Sequence, residues 1–169
     1  EYPVSIAMVS PIYFDASVKQ IFPVLALGHR LIIVPENDLV SGQRLMHLYT
    51  KHNITVSDGT PGHLLLLLDS LSGHPLQCKT PVKRFFIGGD VLNPALIVKL
   101  MERIGSGDGK NEVEIINGYG PTECCDVTSI FPVTGDNISN YRRIPIGAPL
   151  ANVNVFIMGK GETPQPRGV

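Results

Sequence analysis

The sequence predicts an α/β fold in which a mostly parallel sheet is flanked by helices, and three observations support this prediction. Short apolar segments rich in β-branched residues alternate with amphipathic segments of helical length, as is typical of βαβ units. Glycines and prolines stand at the joints between these segments, where helices and strands end. Hydrophobic residues make up 43% of the 169 residues and charged residues 17%, a composition that can build one core.

The first strand and helix set the pattern. Residues 4–10 are apolar and β-branched and precede a proline, so they predict a strand. Residues 16–27 carry apolar side chains at helical spacing and end at Gly28, a residue type that favours helix C-termini. Pro23 lies inside this helix, so a kink or a break is expected there.

The next segments repeat the alternation. Residues 30–34 predict a strand that a proline closes, and residues 41–51 predict a helix whose first residue, a serine, caps it. Residues 54–57 predict a short strand. A Thr-Pro pair then opens a helix over residues 60–71, because proline at the first helical position loses no hydrogen bond. This helix is expected to end near Gly73.

The second half contains four extended segments and one helix. Residues 82–87 predict a strand that leads into a Gly-Gly-Asp turn, and an Asn-Pro pair opens a helix over residues 93–104. Residues 112–116 predict a strand before a glycine-rich turn. Residues 126–131 are expected to be extended, and residues 152–158 predict a further strand.

The chain changes character after residue 140. Four prolines interrupt the helical rhythm there. Residues 1–140 are therefore expected to form the sheet subdomain. Residues 141–169 are expected to form a linker and the start of a following β element.

The composition excludes several classes of protein. The net charge is −1, from 14 basic and 15 acidic residues, which is unlike the basic surface of a nucleic-acid-binding protein. No apolar run approaches the ~18 residues of a membrane span. Three cysteines without a Cys-x-x-Cys pair predict neither a disulfide framework nor a zinc site. We therefore expect a cytoplasmic protein that binds neither nucleic acid nor membranes.

Two further patterns are expected to have no catalytic role. Residues 105–110 look like a phosphate-binding loop but lack its spacing and its strand-to-helix context, so a surface turn is expected. The histidines lack the spacing of metal ligands. They are His29, His47, His52, His63 and His74.

Three loops are expected to meet at one edge of the sheet. They are residues 14–16, 88–90 and 117–125. The carboxyl ends of parallel strands share an edge, and open α/β sheets bind ligands there. These loops therefore predict the position of a binding site.

The segment Asn-Gly-Tyr-Gly-Pro-Thr-Glu at residues 117–123 has the residue types of a nucleotide site. Its glycines allow the backbone to approach a ligand closely, and Tyr119 offers a flat face for a purine. Thr122 offers a hydroxyl group to a phosphate, and the Glu123 carboxylate suits Mg²⁺. The residues alone leave an alternative open, namely a turn with a buried tyrosine and a surface acid.

Four motifs together resemble the adenylation domains of nonribosomal peptide synthetases, which belong to the adenylate-forming superfamily. The motifs are NGYGPTE at 117–123, FDAS at 14–17, FIGGD at 86–90 and IGAPL at 146–150. Their order and spacing agree with the family over nearly the whole chain, although Asp90 stands where the family more often has glutamate. The resemblance implies a flavodoxin-like subdomain.

The resemblance also implies that this chain is the middle of such a domain. The family's phosphate loop would lie before residue 1, and its ribose-binding aspartate and catalytic lysine would lie after residue 169. The missing N- and C-terminal parts would complete the active site. We therefore expect the 169-residue chain alone to be close to inactive.

The resemblance implies roles for individual residues. Thr122 and Glu123 are expected to be catalytic, with Glu123 holding Mg²⁺. The residues expected to bind ATP or AMP are Gly88, Gly89, Asp90, Asn117, Gly118, Tyr119, Gly120 and Thr122. The residues expected to bind the amino acid are Phe14, Asp15, Ala16, Lys19, Asp58, Phe86, Gly88, Gly118, Asp126 and Val127.

Two of these positions have alternative interpretations. Asp15 would pair with the α-ammonium group of the substrate, or would cap the helix that it precedes. Lys19 with Asp58 is similar to the pocket pattern of glutamate-activating domains, whereas Asp126 would favour an amide or a basic substrate. Lys19 and Asp58 could equally be a structural ion pair.

The implied function is ATP-dependent activation of an amino acid to aminoacyl-AMP. In the full protein, the aminoacyl group would then pass to the phosphopantetheine thiol of a peptidyl carrier protein, in nonribosomal peptide (antibiotic) synthesis. Two alternatives remain. One is an acyl-CoA ligase of the same superfamily, whose substrate has no amine for Asp15. The other is an α/β module without catalytic activity.

Overall fold

A computed structural model describes residues 3–72, 78–106 and 113–166. The strands of this part are β1 (Ser5–Met8), β2 (Arg30–Ile33), β3 (Val56–Gly59), β4 (Cys78–Thr80), β5 (Arg84–Ile87), β6 (Ile104–Ser106), β7 (Glu114–Tyr119), β8 (Ser129–Val133) and β9 (Ala148–Pro149). Its helices are α1 (Ala16–Ala26), α2 (Glu36–Leu39), α3 (Gly42–His52), α4 (Pro61–Ser70), α5 (Pro94–Arg103), α6 (Gly135–Ile138) and a 3₁₀ turn (Thr122–Cys124).

The main sheet has the strand order β2-β1-β3-β5-β7-β8-β9. The first five strands are parallel, and β8 and β9 are added antiparallel at one edge. Strands β4 and β6 form a separate parallel pair. The predicted fold class, a mostly parallel sheet flanked by helices, is confirmed.

The two faces of the sheet are covered to different extents. On one face Ser57, Phe85 and Ile115 are fully buried. Helices α3, α4 and α5 contribute side chains to the hydrophobic core on this face. Side chains alternate between the faces of a strand, so Asp58 and Phe86, which are partners in the ladder between β3 and β5, share the opposite face. Helix α1 packs against that face at β1 and β2. This second face contains the polar site described below.

The helix signals in the sequence act as expected. The Ser41 hydroxyl accepts a hydrogen bond from the backbone N–H of Arg44, and Asn93 Oδ1 accepts one from the N–H of Ala95. Gly28 has a φ of +69°, a left-handed conformation that favours glycine. Helix α1 continues through Pro23 instead of breaking.

Several predicted boundaries and one predicted strand are wrong. Strand β3 lies two residues later than expected. Strand β7 extends to Tyr119, because β8 pairs with its last residues and supplies their hydrogen bonds. The strand expected over residues 152–158 is absent from the described part of the chain, where only an isolated bridge joins Met158 to Pro164. Apolar residues alone do not make a strand, since its backbone groups need a neighbouring strand.

Other expectations have a different outcome. The boundary at residue 140 stays a prediction, although β9 belongs to the main sheet. The helix end near Gly73 and residues 107–110 of the loop-like motif lie outside the described residues. None of the described helices is both long and apolar enough to span a membrane.

Candidate active site

A cavity of about 550 Å³ opens at the carboxyl ends of β1, β3, β5 and β7. The three loops expected to meet contribute to its walls together with the first turns of α1. All ten residues predicted to bind the amino acid line this cavity. They are Phe14, Asp15, Ala16, Lys19, Asp58, Phe86, Gly88, Gly118, Asp126 and Val127. We call it the substrate cavity; the binding roles of these residues stay predictions.

The residues predicted to bind the nucleotide divide into two groups. Those lining the substrate cavity are Gly88, Gly89, Gly118, Gly120 and Thr122. Those outside its lining are Asp90, Asn117 and Tyr119, together with the predicted metal ligand Glu123. The two groups come from the same two short segments, which follow β5 and end β7.

Two of the residues outside the cavity have hydrogen bonds within the chain that the sequence did not predict. Asn117 is buried, and its Nδ2 donates a hydrogen bond to the carbonyl oxygen of Pro145 at 2.8 Å. This bond ties the end of β7 to the segment before β9. One carboxylate oxygen of Asp90 accepts the backbone N–H of Val91 at 2.6 Å.

The turn after β7 presents an aromatic ring and a carboxylate at the surface. Tyr119 is 50% exposed, so the alternative of a buried tyrosine does not apply. Glu123 is exposed within the 3₁₀ turn. One exposed carboxylate fits Mg²⁺, which proteins commonly hold through one or two carboxylates together with substrate phosphates. The described residues contain no cluster of three or more side chains that could hold a metal by themselves.

Gly88 and Gly120 are required by close packing of the backbone. A Cβ atom on Gly88 would lie 2.9 Å from the carbonyl oxygen of Gly118, and one on Gly120 would lie 1.9 Å from that of Asp126. The ends of β5 and β7 therefore approach each other more closely than side chains would allow. We call the contact between Gly88 and Gly118 the glycine seam.

Helix α1 brings two charged residues to the substrate cavity. Asp15 precedes the helix, and its Oδ1 accepts the backbone N–H of Ala16 at 2.8 Å. The expected capping contact is thus present, and Asp15 lines the cavity as well. Lys19 lies one helical turn later and faces the same space.

Lys19 pairs with two aspartates. Its Nζ lies 3.2 Å from Asp58 Oδ2 and 2.7 Å from Asp126 Oδ2. Asp126 Oδ2 is buried, so the close contact with Lys19 is what compensates its charge. The expected pair of Lys19 with Asp58 is therefore present, and Asp126 makes it a triad. We use the term triad for these three residues.

The triad is shielded from water and carries one excess negative charge. The side chains of Lys19, Asp58 and Asp126 are 29%, 11% and 15% exposed. Burial raises the pKa of Asp58 to about 6, against the opposing effect of Lys19. Burial alone would lower the pKa of Lys19, but the two aspartates outweigh it and raise that pKa above its usual value. Burial therefore favours the protonated form of Asp58.

His63 is a cavity residue that the sequence analysis missed. Its Nδ1 accepts the backbone N–H of Thr60 at 3.0 Å, so the proton of the neutral ring is on Nε2. Burial lowers the pKa of His63, which favours this neutral form. Its spacing of three residues after Thr60 is that of a capping box, which indicates a helix start and does not by itself indicate a binding site.

Comparisons with known proteins agree with this geometry. The family model described as AMP-binding enzyme matches residues 3–169. The chain is 38% identical over 167 residues to bacitracin synthase 1 of Bacillus licheniformis, and 36% identical over 166 residues to surfactin synthase subunit 1 of Bacillus subtilis (strain 168). These matches cover 98% and 96% of this chain but only 3% and 4% of those proteins.

A solved structure is also similar. The Vibrio cholerae adenylation domain AlmE, in complex with glycyl-adenosine-5'-phosphate, superposes with a TM-score of 0.77 at 25% identity. The match covers 98% of this chain and 30% of that one. Since the family model matches almost every residue, this chain belongs to the AMP-binding enzyme family.

Proposed function

We propose that these residues form the central part of an amino-acid adenylation domain in a nonribosomal peptide synthetase. The main support for this proposal is that Asp15, the triad and the glycine seam all line one cavity. The relatives support it, since they are peptide synthases and a glycyl-adenylate-bound adenylation domain.

In the proposed reaction the carboxylate of an amino acid attacks the α-phosphorus of ATP, and pyrophosphate leaves. Asp15 binds the α-ammonium group by a charge-assisted hydrogen bond, which rejects fatty acids because they lack the amine. Thr122 lies at the cavity wall and contacts the α-phosphate. Tyr119, with its exposed ring, stacks on the adenine.

Glu123 supplies the carboxylate that holds Mg²⁺, and the bound ion neutralises charge on the phosphates. Phe14 and Ala16 lie beside Asp15 and shape the space around the amino-acid backbone. The backbone of Gly88 and Gly89 lies along the edge of the adenine base. In the full protein the aminoacyl group then passes to the phosphopantetheine thiol of a peptidyl carrier protein.

The proposed side-chain preference is polar or charged, and glutamate-like. Lys19 supplies the cation that a side-chain carboxylate needs. Because two aspartates already surround Lys19, a bound glutamate would place a third negative charge there. Protonation of Asp58, favoured by its pKa of about 6, would remove one of these charges and provide a donor to the substrate.

Amino-acid-dependent exchange of pyrophosphate into ATP by the full-length protein tests this proposal. We expect exchange with glutamate, and a KM for glutamate that rises as the pH is raised from 6 to 8, because Asp58 loses its proton. Glutamine serves as the matched neutral substrate, whose KM should change much less. Exchange with ornithine or glutamine but not with glutamate would refute the glutamate-like preference. Activity with fatty acids alone would refute amino-acid activation and indicate an acyl-CoA ligase.

A further inference from the structure

His63 brings a free hydrogen-bond donor to the substrate cavity. The residue lies in the first turn of α4 and lines the cavity. Because Nδ1 accepts the backbone N–H of Thr60, the ring proton is on Nε2, on the side of the ring that points away from Thr60. Among the residues that the structure describes, no group accepts a hydrogen bond from Nε2. The Nε2 proton is therefore available to a ligand.

The backbone around His63 fixes the position of its ring. A Cβ atom on Gly59 would lie 3.3 Å from both Cβ and Nδ1 of His63, so the ring packs against the bare backbone at the end of β3. The carbonyl oxygen of Gly59 accepts the N–H of Gly88 at 3.0 Å, which joins this strand end to the glycine seam. A Cβ atom on Gly89 would lie 3.7 Å from Thr60 Cγ2, so the cap of α4 lies next to the turn after β5.

This position is close to residues predicted to bind each reactant. Asp58, predicted to bind the amino acid, immediately precedes the strand end on which the ring packs, and Gly88 is predicted to bind both ligands. Thr122, proposed to contact the α-phosphate, lines the same cavity as His63. The groups that meet in the proposed reaction are a carboxylate and a phosphate, and both offer anionic oxygen atoms. An N–H donor suits such an oxygen, because a hydrogen bond to a charged group is stronger than one between neutral groups.

We propose that His63 is a substrate-binding residue whose Nε2–H donates a hydrogen bond to an anionic oxygen of the reacting groups, on the amino-acid carboxylate or on the α-phosphate. No proton is transferred in this contact, which holds the oxygen in place while the carboxylate attacks phosphorus. Burial lowers the pKa of His63, so the ring makes this contact in its neutral form. This inference rests on the proposed amino-acid activation.

Two variants of the full-length protein separate the two hydrogen bonds of His63. Glutamine and glutamate have nearly the same shape, and either can accept the N–H of Thr60, because both are the usual third helical residues of a capping box. His63→Gln keeps an N–H donor, whereas His63→Glu replaces the donor with a carboxylate. The matched controls carry the same two substitutions at His47, an exposed residue of α3 outside the lining of the substrate cavity.

Pyrophosphate exchange is measured with the amino acid that the wild-type protein uses best. We expect kcat/KM to fall by less than roughly tenfold for His63→Gln and by roughly 100-fold or more for His63→Glu, because glutamate lacks the donor and repels an anion. Both His47 variants should match the wild type. Equal losses in folded His63→Gln and His63→Glu protein, or wild-type activity in folded His63→Glu, would overturn the inference.

His63→Ala identifies the acceptor and keeps the test decisive if His63→Glu does not fold. If the acceptor is the phosphate, this variant should bind AMP roughly tenfold more weakly and adenosine as tightly as the wild type does. If the acceptor is the carboxylate, AMP binding should not change, and the KM for the amino acid should rise roughly 10- to 100-fold. Folded His63→Ala with neither change would overturn the inference. Failure of the proposed function is distinguishable, because the wild-type protein would then show no exchange with any amino acid.

Discussion

The clearest stability prediction concerns Asp58, whose carboxyl group is buried beside Lys19 and Asp126. Replacing it with asparagine keeps the shape of the side chain and removes the titration. Lys19 keeps Asp126 as its partner, so the substitution does not leave a cation unpaired.

The magnitude follows from the pKa of the group. A carboxyl group with an ordinary pKa of 3.8 has a pKa of about 6 in the folded chain, because burial disfavours its charged form. The folded state therefore binds the proton more tightly than the unfolded state, and stability falls as the pH rises between these two values. The difference corresponds to about 3 kcal/mol, which is present well below pH 3.8 and is lost as the pH rises through about 6.

The assay is urea unfolding of the 169-residue chain at several pH values from 4 to 8, for the wild type and for Asp58→Asn. We expect the free energy of unfolding of the wild type, relative to that of the variant, to decrease by roughly 2–2.5 kcal/mol from pH 4 to pH 7. Asp69→Asn, at an exposed position on α4, is the matched control and should follow the wild type.

If the difference in free energy of unfolding between the wild type and Asp58→Asn stays constant with pH, this reasoning is refuted. Asp58 would then have the same pKa in the folded and the unfolded chain. His63 acts in the opposite direction, since its lowered pKa makes the folded state less stable on acidification. That contribution is present in both proteins and cancels in the comparison.

Three further predictions use other parts of the site. Asp15→Asn keeps the oxygen that caps α1 but removes the negative charge. In the full-length protein it should raise the KM for the amino acid roughly 10- to 100-fold and leave the KM for ATP nearly unchanged. Equal increases in both KM values would indicate a structural role for Asp15. Gly88→Ala places a Cβ atom 2.9 Å from the carbonyl oxygen of Gly118, so it should lower the free energy of unfolding in urea by about 1–3 kcal/mol. The control is Gly135→Ala, where no atom lies within 4 Å of the new Cβ, and it should change that free energy by less than about 1 kcal/mol. His63→Ala removes the acceptor of a backbone N–H and should cost about 1 kcal/mol at pH 8, where the wild-type ring is neutral. The cost should shrink once the pH falls below the lowered pKa of the wild-type ring, and a cost that does not change across that titration would argue against this role.

The sequence predicts the order of elements well because local signals decide it. The caps at Ser41 and Asn93 and the left-handed Gly28 act within one or two turns of a helix, and the chain obeys them. Strands are less predictable because their hydrogen bonds come from elsewhere. Strand β7 is longer than expected since β8 pairs with its end, and residues 152–158 lack such a partner in the described part of the chain.

The candidate site shows the same division. The residues predicted to bind the amino acid all line one cavity, because the carboxyl ends of parallel strands share an edge, and their binding roles stay predictions. The contacts among these residues, in contrast, depend on how segments distant in the sequence pack together. Neither the second aspartate beside Lys19 nor the bond from Asn117 to Pro145 has a signature in the local sequence. His63 was missed because a histidine without a paired ligand carries no signal of a site.

The glycine seam has a consequence for how such a site can diversify. Gly88 and Gly118 are predicted to bind both the amino acid and the nucleotide, and where they meet, backbone alone forms the cavity wall. A Cβ atom on Gly88 would lie 2.9 Å from the carbonyl oxygen of Gly118, so Gly88 has little freedom to vary. Lys19, Asp58 and Asp126 instead present side chains to the cavity from a helix, a strand and a loop. New substrate preferences can accumulate at those three positions while the machinery that handles ATP stays the same.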